Sequence, residues 1–155
     1  NDQFVILDNI QKDIMAKLEK YSDGKILKGN ELVGWLGEIY IKELYDGRLV
    51  DDKFEHDVLL VNNETVSVKT RKGRNNGWNK TSGIPKIDGE GIPTYLAFVN
   101  LKDNYLINKI WIFPWKYLYD NNRFKEHIVR GQHRSYYFQV NESKDHEYEI
   151  DITEL

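Results

Sequence analysis

The feature that most constrains this chain is a pair of β-rich runs set about two asparagines. Asp57-Val58-Leu59-Leu60-Val61 leads into Asn62-Asn63, and Thr65-Val66-Ser67-Val68-Lys69-Thr70 follows. Apolar, β-branched runs flanking an Asn pair predict a β-hairpin, because Asn tolerates positive φ. In an antiparallel hairpin the start of the first strand lies beside the end of the second. Asp57 and Lys69, twelve residues apart in the sequence, are therefore expected to meet in space. Alternation places Ser67, Lys69 and Arg71 on one face of the second strand and Val66, Val68 and Thr70 on the other.

An exposed Asp–Lys pair is ordinary and weak. The setting gives this one chemical meaning. Asp57 directly precedes an apolar run and Lys69 directly follows a β-branched one, so both charges stand at the mouth of strands expected to be buried, where open α/β sheets place ligands. A carboxylate with a further oxygen donor can hold Mg²⁺, which keeps several of its waters. A neighbouring Lys can orient an attacking water and offset developing negative charge.

The surrounding elements predict one α/β or α+β domain over residues 1–155, a mixed central sheet flanked by helices. A first helix is expected over 8–21, with Asp8 as N-cap and Ile10, Ile14 and Leu18 repeating. A second is expected from Asn30 or Glu31 to Gly47, with Leu32, Leu36, Ile39 and Leu44 as its apolar stripe. Leu49-Val50 opens a strand. Further strands are expected over 95–101, 106–113, 134–140 and 148–152, with a turn at Asp103-Asn104 and a helical turn after Pro114. Residues 72–93, rich in Gly, Asn, Lys and Pro, are expected to form a long surface loop.

Three segments then resemble the PD-(D/E)xK, or restriction-endonuclease-like, nucleases. Glu55-His56-Asp57-Val58-Leu59-Leu60 is similar to the GEIDLI segment of small resolvase-like members, and Val66-Ser67-Val68-Lys69-Thr70-Arg71 to their VEVKTR segment. Gly37-Glu38 stands in a helix where these families carry GE or AE. The match covers about residues 30–72. The resemblance implies a restriction-endonuclease-like fold and a Mg²⁺-dependent DNA endonuclease, with Mn²⁺ able to substitute. It makes Asp57 the metal-binding Asp, Lys69 the catalytic Lys, and Glu38 an additional carboxylate. The chain departs from the pattern at one place: the acid that the family carries two residues before its Lys is Ser67 here. Glu38 and Glu55 are the acids available to replace it, and Glu55 alternates with Asp57. Ser67 and His56 are then expected beside the metal site rather than on it. The same departure also fits a module that has lost catalysis and kept DNA binding; a non-nuclease interaction domain is the third reading.

The net charge of −3 hides a polar distribution of charge. Residues 66–87 hold six cations (Lys69, Arg71, Lys72, Arg74, Lys80, Lys86) and no acid, whereas 141–155 hold six acids and one Lys. The segment Arg71 to Lys80 mixes cations with amides and an aromatic ring. Arg71, Lys72, Arg74 and Lys80 are therefore expected to meet phosphates, and Asn75, Asn76 and Trp78 to meet bases. Arg123, Lys125, Arg130, His133 and Arg134 form a second basic strip. With no Cys, thiolate metal sites and a Cys nucleophile are excluded, and the four His lack zinc-ligand spacing. No run approaches the roughly 20 apolar residues of a membrane span. A cytoplasmic setting is expected, and a homodimer if both strands of a duplex are cut. Because the sequence opens at Asn1 rather than Met, a piece of a longer protein is also expected to be compatible with it.

Overall fold

The computed structural model describes residues 30–50, 56–73 and 80–153 (backbone alone at 30–32 and 134), together with residues 2, 5, 6, 9, 10, 12, 13 and 16. Those isolated N-terminal residues are helical, and helix at 2, 5 and 6 begins upstream of the expected start; Asp8, Ile14 and Leu18 lie outside the described residues. The ordered elements are α1 (Asn30–Leu44), β1 (Arg48–Leu49), β2 (Val58–Leu59), β3 (Thr65–Lys72), β4 (Thr81–Ile84), β5 (Tyr95–Leu101), β6 (Ile107–Pro114), α2 (Trp115–Asp120), β7 (Lys125–Val129), β8 (Gln132–Gln139) and a 3₁₀ turn at His146–Tyr148. The mixed α/β expectation holds at that level.

Strands β1-β2-β3-β5-β6 form one sheet and β4-β8-β7 a second. Only β3 and β5 run parallel among these pairs, from Val66↔Tyr95 to Lys72↔Leu101. Strand β5 is buried on both faces and divides the interior. Its Ala97 and Val99 join Val66 and Val68 of β3 against Val33, Leu36, Tyr40 and Ile41 of α1. Its Leu96 and Phe98 join Ile84, Phe113 and Phe138 on the other side. The order is therefore α1, then the five-stranded sheet, then the three-stranded sheet with α2. In the second core Phe113 and Phe138 meet edge to face at 5.1 Å, and Phe98 meets Trp111 at 6.2 Å. Such pairs contribute about 0.5–1.5 kcal/mol each beyond their burial.

The predicted hairpin forms, with Val58↔Val66 and Leu59↔Thr65 paired and Asn63 at φ 67°. Its first strand is shorter than expected: Leu60 accepts the Asn63 N–H at 3.0 Å, which puts Val61 in the turn with 82% exposure. The stripe of α1 is also shifted. Val33, Leu36, Tyr40 and Ile41 are buried, with Leu44 packed beside them, while Ile39 is only half-buried. Residues 72–93 are not one loop, because β4 pairs with β8. Lys125–Val129 is a strand the sequence reading did not anticipate. The expected strand at 148–152 is instead the end of a 3₁₀ turn, a lone Trp111↔Glu149 bridge and an Ile150 N–H donated to Ile110 O at 2.9 Å.

Gly37 shows how closely α1 approaches the sheet. A Cβ there would overlap Thr70 Oγ1 and lie 2.9 Å from Thr70 Cβ. Gly37→Ala gains helix propensity of about 1 kcal/mol but overpacks a filled interface, which costs about 1–3 kcal/mol. Net destabilisation is expected in denaturant melts. In a Thr70→Ala background the penalty should shrink, because the overlap with Oγ1 is removed while the 2.9 Å approach to the Cβ of residue 70 stays; an unchanged penalty there would assign the strain elsewhere.

Candidate active site around Asp57 and Lys69

Asp57 lies where β2 leaves the sheet. The β2–β3 ladder pairs Val58 with Val66, so continuing it would place Asp57 opposite Ser67. Instead the Asp57 N–H donates to Val66 O at 2.9 Å, one residue out of step. This irregularity turns the side chain onto the edge of β3, and Asp57 Oδ2 accepts the Val68 N–H at 2.7 Å. The carboxylate thus occupies the place of the next ladder bond and satisfies a donor that β2 no longer reaches. Irregularities of this kind re-aim side chains at strand ends. The structure thereby sets the Asp57 carboxylate against the backbone one residue from Lys69. Asp57 Oδ1 has no hydrogen-bond partner among the described residues.

Ser67 and Lys69 project from the face of β3 that Leu96 and Phe98 share on neighbouring β5, the face turned toward the second sheet. They line a small cavity of about 30 Å³ with Lys86, Ile92 and Trp115. Ser67 is buried, with 4% exposure, and Lys69 half-buried. Lys86, also in the lining, donates from Nζ to Glu90 O at 2.5 Å. The helix that carries Glu38 packs on the opposite face of β3, through Gly37 against Thr70. Glu38 itself is half-buried, as is His56. Glu55 lies outside the described residues. Among the described residues no cluster of three or more His, Asp or Glu side chains is placed to hold a metal ion.

The basic segment divides into cations with different surroundings. Arg71 is exposed and donates from Nε to Thr81 O at 2.9 Å, which ties β3 to β4. Lys72 is exposed, with its ammonium 4.4 Å above the Tyr105 ring and 3.2 Å from the Tyr105 hydroxyl. Lys80 is committed inward: it pairs with Glu142 at 3.0 Å and its side chain is 18% exposed. Lys109 pairs with the other Glu142 oxygen at 3.1 Å, and bonds from the two ammoniums, Lys80 first, hold the Glu142 carboxyl below its ordinary range. Arg74, Asn75, Asn76 and Trp78 lie outside the described residues.

The second basic strip is likewise uneven. Arg123 is buried against Asp145, whereas Lys125, Arg130 and His133 are exposed on the β7–β8 hairpin. The hairpin turns at Arg130 (φ 52°) and Gly131 (φ 76°), both in the left-handed region that a type I′ turn requires. Among the described residues no helix is long and apolar enough to cross a membrane. No protein-family model matches the chain, and no curated protein matches it.

Proposed function

We propose that the chain is a phosphodiesterase of the PD-(D/E)xK class. Within that class it is read as a Mg²⁺-dependent DNA endonuclease of restriction or DNA processing, built on a restriction-endonuclease-like sheet. One observation carries the reading: Asp57 is anchored through Oδ2 on the Val68 N–H, one residue from Lys69, and cations follow on the same strand.

The donor set suits Mg²⁺ held by few protein oxygens and several waters. Asp57 would be the principal ligand through Oδ1, since Oδ2 is already committed, with Glu38 and Glu55 as the further carboxylates and Mn²⁺ as a substitute ion. Bound there, the ion supplies an acidified water and offsets charge on the phosphate. Lys69 orients the attacking oxygen and stabilises the negative charge that grows on the phosphoryl group. Asp57 is held in place by a backbone bond, so little ordering remains to be done when substrate arrives. Arg71 and Lys72, exposed at the end of β3, meet the phosphates flanking the cut. Incubation of supercoiled, linear and single-stranded DNA with Mg²⁺, Mn²⁺ or chelator tests this. Metal-dependent nicking is expected; intact DNA in every combination would remove the nuclease reading.

Ser67 favours the second reading, a DNA-binding module without catalysis. It stands at the family's acid position and is nearly fully buried, with no carboxylate in its place. Under either reading DNA binding is expected to weaken with salt. Replacing Lys72 and Arg74 together by Ala should lower the salt slope by about two units, near one per phosphate contact, and weaken binding alike across sequences. A slope equal to wild type would remove this segment from the interface.

A further inference from the structure

A polar hollow lies on the outer face of the second sheet, with none of the residues around Asp57 in its lining. Phe138 of β8 points into the core, so its neighbours Tyr137 and Gln139 belong to the opposite face, and Lys125 of β7 pairs directly across from Tyr137. With Asn121, Asn141 and Lys144 these residues line a cavity of about 440 Å³. Arg123 forms part of the wall, but its charge is already matched. Its Nη1 and Nη2 donate to the two Asp145 oxygens at 2.6 and 2.7 Å, and Nη2 donates also to Gln139 O at 3.2 Å. Asp145, 0% exposed, in turn accepts the Asn141 N–H at 2.8 Å. This pair ties the 141–145 segment to β8 through Gln139 O.

Lys125 and Lys144 remain. Neither has an ion-pair partner among the described residues, and no carboxylate lines the cavity. The two acids nearest Lys144 along the chain are both committed, Asp145 to Arg123 and Glu142 to Lys80 and Lys109. Two unmatched ammoniums call for an anion. A phosphate group alone, a few times the roughly 30 Å³ of one water, would leave most of the cavity unused. The rest of the lining offers an aromatic ring and three amides; Asn121 Nδ2 already donates to Tyr117 O at 2.8 Å and Asn141 Oδ1 accepts the Lys144 N–H at 3.0 Å, which leaves Asn121 an acceptor and Asn141 a donor for a ligand. That set suits a planar heterocycle that stacks and presents mixed donors and acceptors.

We infer that this cavity binds one nucleotide, with its phosphate at Lys125 and Lys144 and its base at Tyr137 among Asn121, Gln139 and Asn141. The ligand is either a free nucleotide or a unit of a polynucleotide. In the second case the site deepens the nuclease reading by giving the chain a strand contact away from the cut.

Calorimetric titration in chelator, without divalent metal, tests the site independently of cleavage. The ligands are a nucleoside 5′-monophosphate of each base, inorganic phosphate and a short single-stranded oligonucleotide. The monophosphates should bind at least tenfold more tightly than inorganic phosphate. Tyr137→Leu should weaken them about 5- to 150-fold, the value of one base stack. Lys125→Ala with Lys144→Ala, both exposed and thus expected to fold, should remove binding of phosphate and nucleotide together. An oligonucleotide whose affinity falls in Tyr137→Leu as the monophosphate's does identifies a strand unit, and one whose affinity is unmoved by that substitution identifies a free nucleotide. Equal affinity for phosphate and nucleotide, or unchanged affinity in the double variant, overturns the proposal. Asp57→Asn should leave the monophosphate and inorganic phosphate titrations unchanged, so failure of the nuclease reading and failure of this one give different results.

Discussion

Asp57→Asn and Lys69→Ala should each lower metal-dependent DNA cleavage by roughly 10²–10³-fold, the scale on which removal of one transition-state contact is felt. The choice of Asn at 57 follows from the backbone. Asp57 accepts the Val68 N–H at the point where β2 leaves β3, so Asp57→Ala would orphan a donor in a part-buried strand and cost about 1–3 kcal/mol in stability. Asn keeps an acceptor for that N–H and removes only the charge. If Asp57 serves merely to finish the edge of β3, Asp57→Asn will cleave normally while Asp57→Ala melts early. If it holds metal, the two variants will be equally inactive although only one is destabilised. Lys69→Ala removes no hydrogen bond of the ladder, and its effect should fall on kcat rather than on DNA affinity, as for a group that acts in the transition state. Normal cleavage by both Asp57→Asn and Lys69→Ala would take the chemistry away from this strand pair.

What could be read in advance follows from how local each determinant is. The β2–β3 hairpin was legible because Asn63 and two β-branched runs carry it within a dozen residues. Strands β5 and β6 were legible because apolar runs long enough to be buried on both faces announce themselves. Strand β7 was not, because every residue of Lys125–Val129 is exposed and no alternation marks it; Gly131 at φ 76° was its one available signal. Strand β4 is four residues long and owes its existence to β8, more than fifty positions away. At 148–152, where a strand is expected, Tyr148 packs in one core and Ile150 and Ile152 against the other, so no single face runs through the segment. The candidate site divides similarly. That Asp57 would lie beside β3 followed from hairpin geometry, whereas its one-residue slip onto Val68 did not. Gly37, read first as half of a family signature, has a packing reason of its own in Thr70. Lys80, expected to face phosphate, is instead paired with Glu142, a partnership between segments 62 positions apart that charge counts along the chain cannot disclose.

The largest loss of stability is expected at Arg123 and Asp145, which composition could not have paired. Their side chains are 8% and 0% exposed and meet through two bonds of 2.6 and 2.7 Å. The carboxylate hydrogen-bonded to it holds the Arg123 pKa above its ordinary value, so the guanidinium stays charged at any pH at which the protein is handled. Arg123→Met leaves Asp145 buried without its counter-charge and frees Gln139 O from this bond, for an expected cost of about 3–5 kcal/mol. Asp145→Asn strands the guanidinium above the Phe138 ring, where its centre lies 5.3 Å away, and is expected to cost a comparable amount although Asn still accepts the Asn141 N–H. Arg123→Met with Asp145→Asn removes both charges and keeps the apolar stem over Phe138, so it should be less destabilised than the sum of the two single charge losses. Urea melts of the three variants measure the coupling. Additive losses would mean that the two charges act independently, Arg123 through Gln139 O, rather than through the pair.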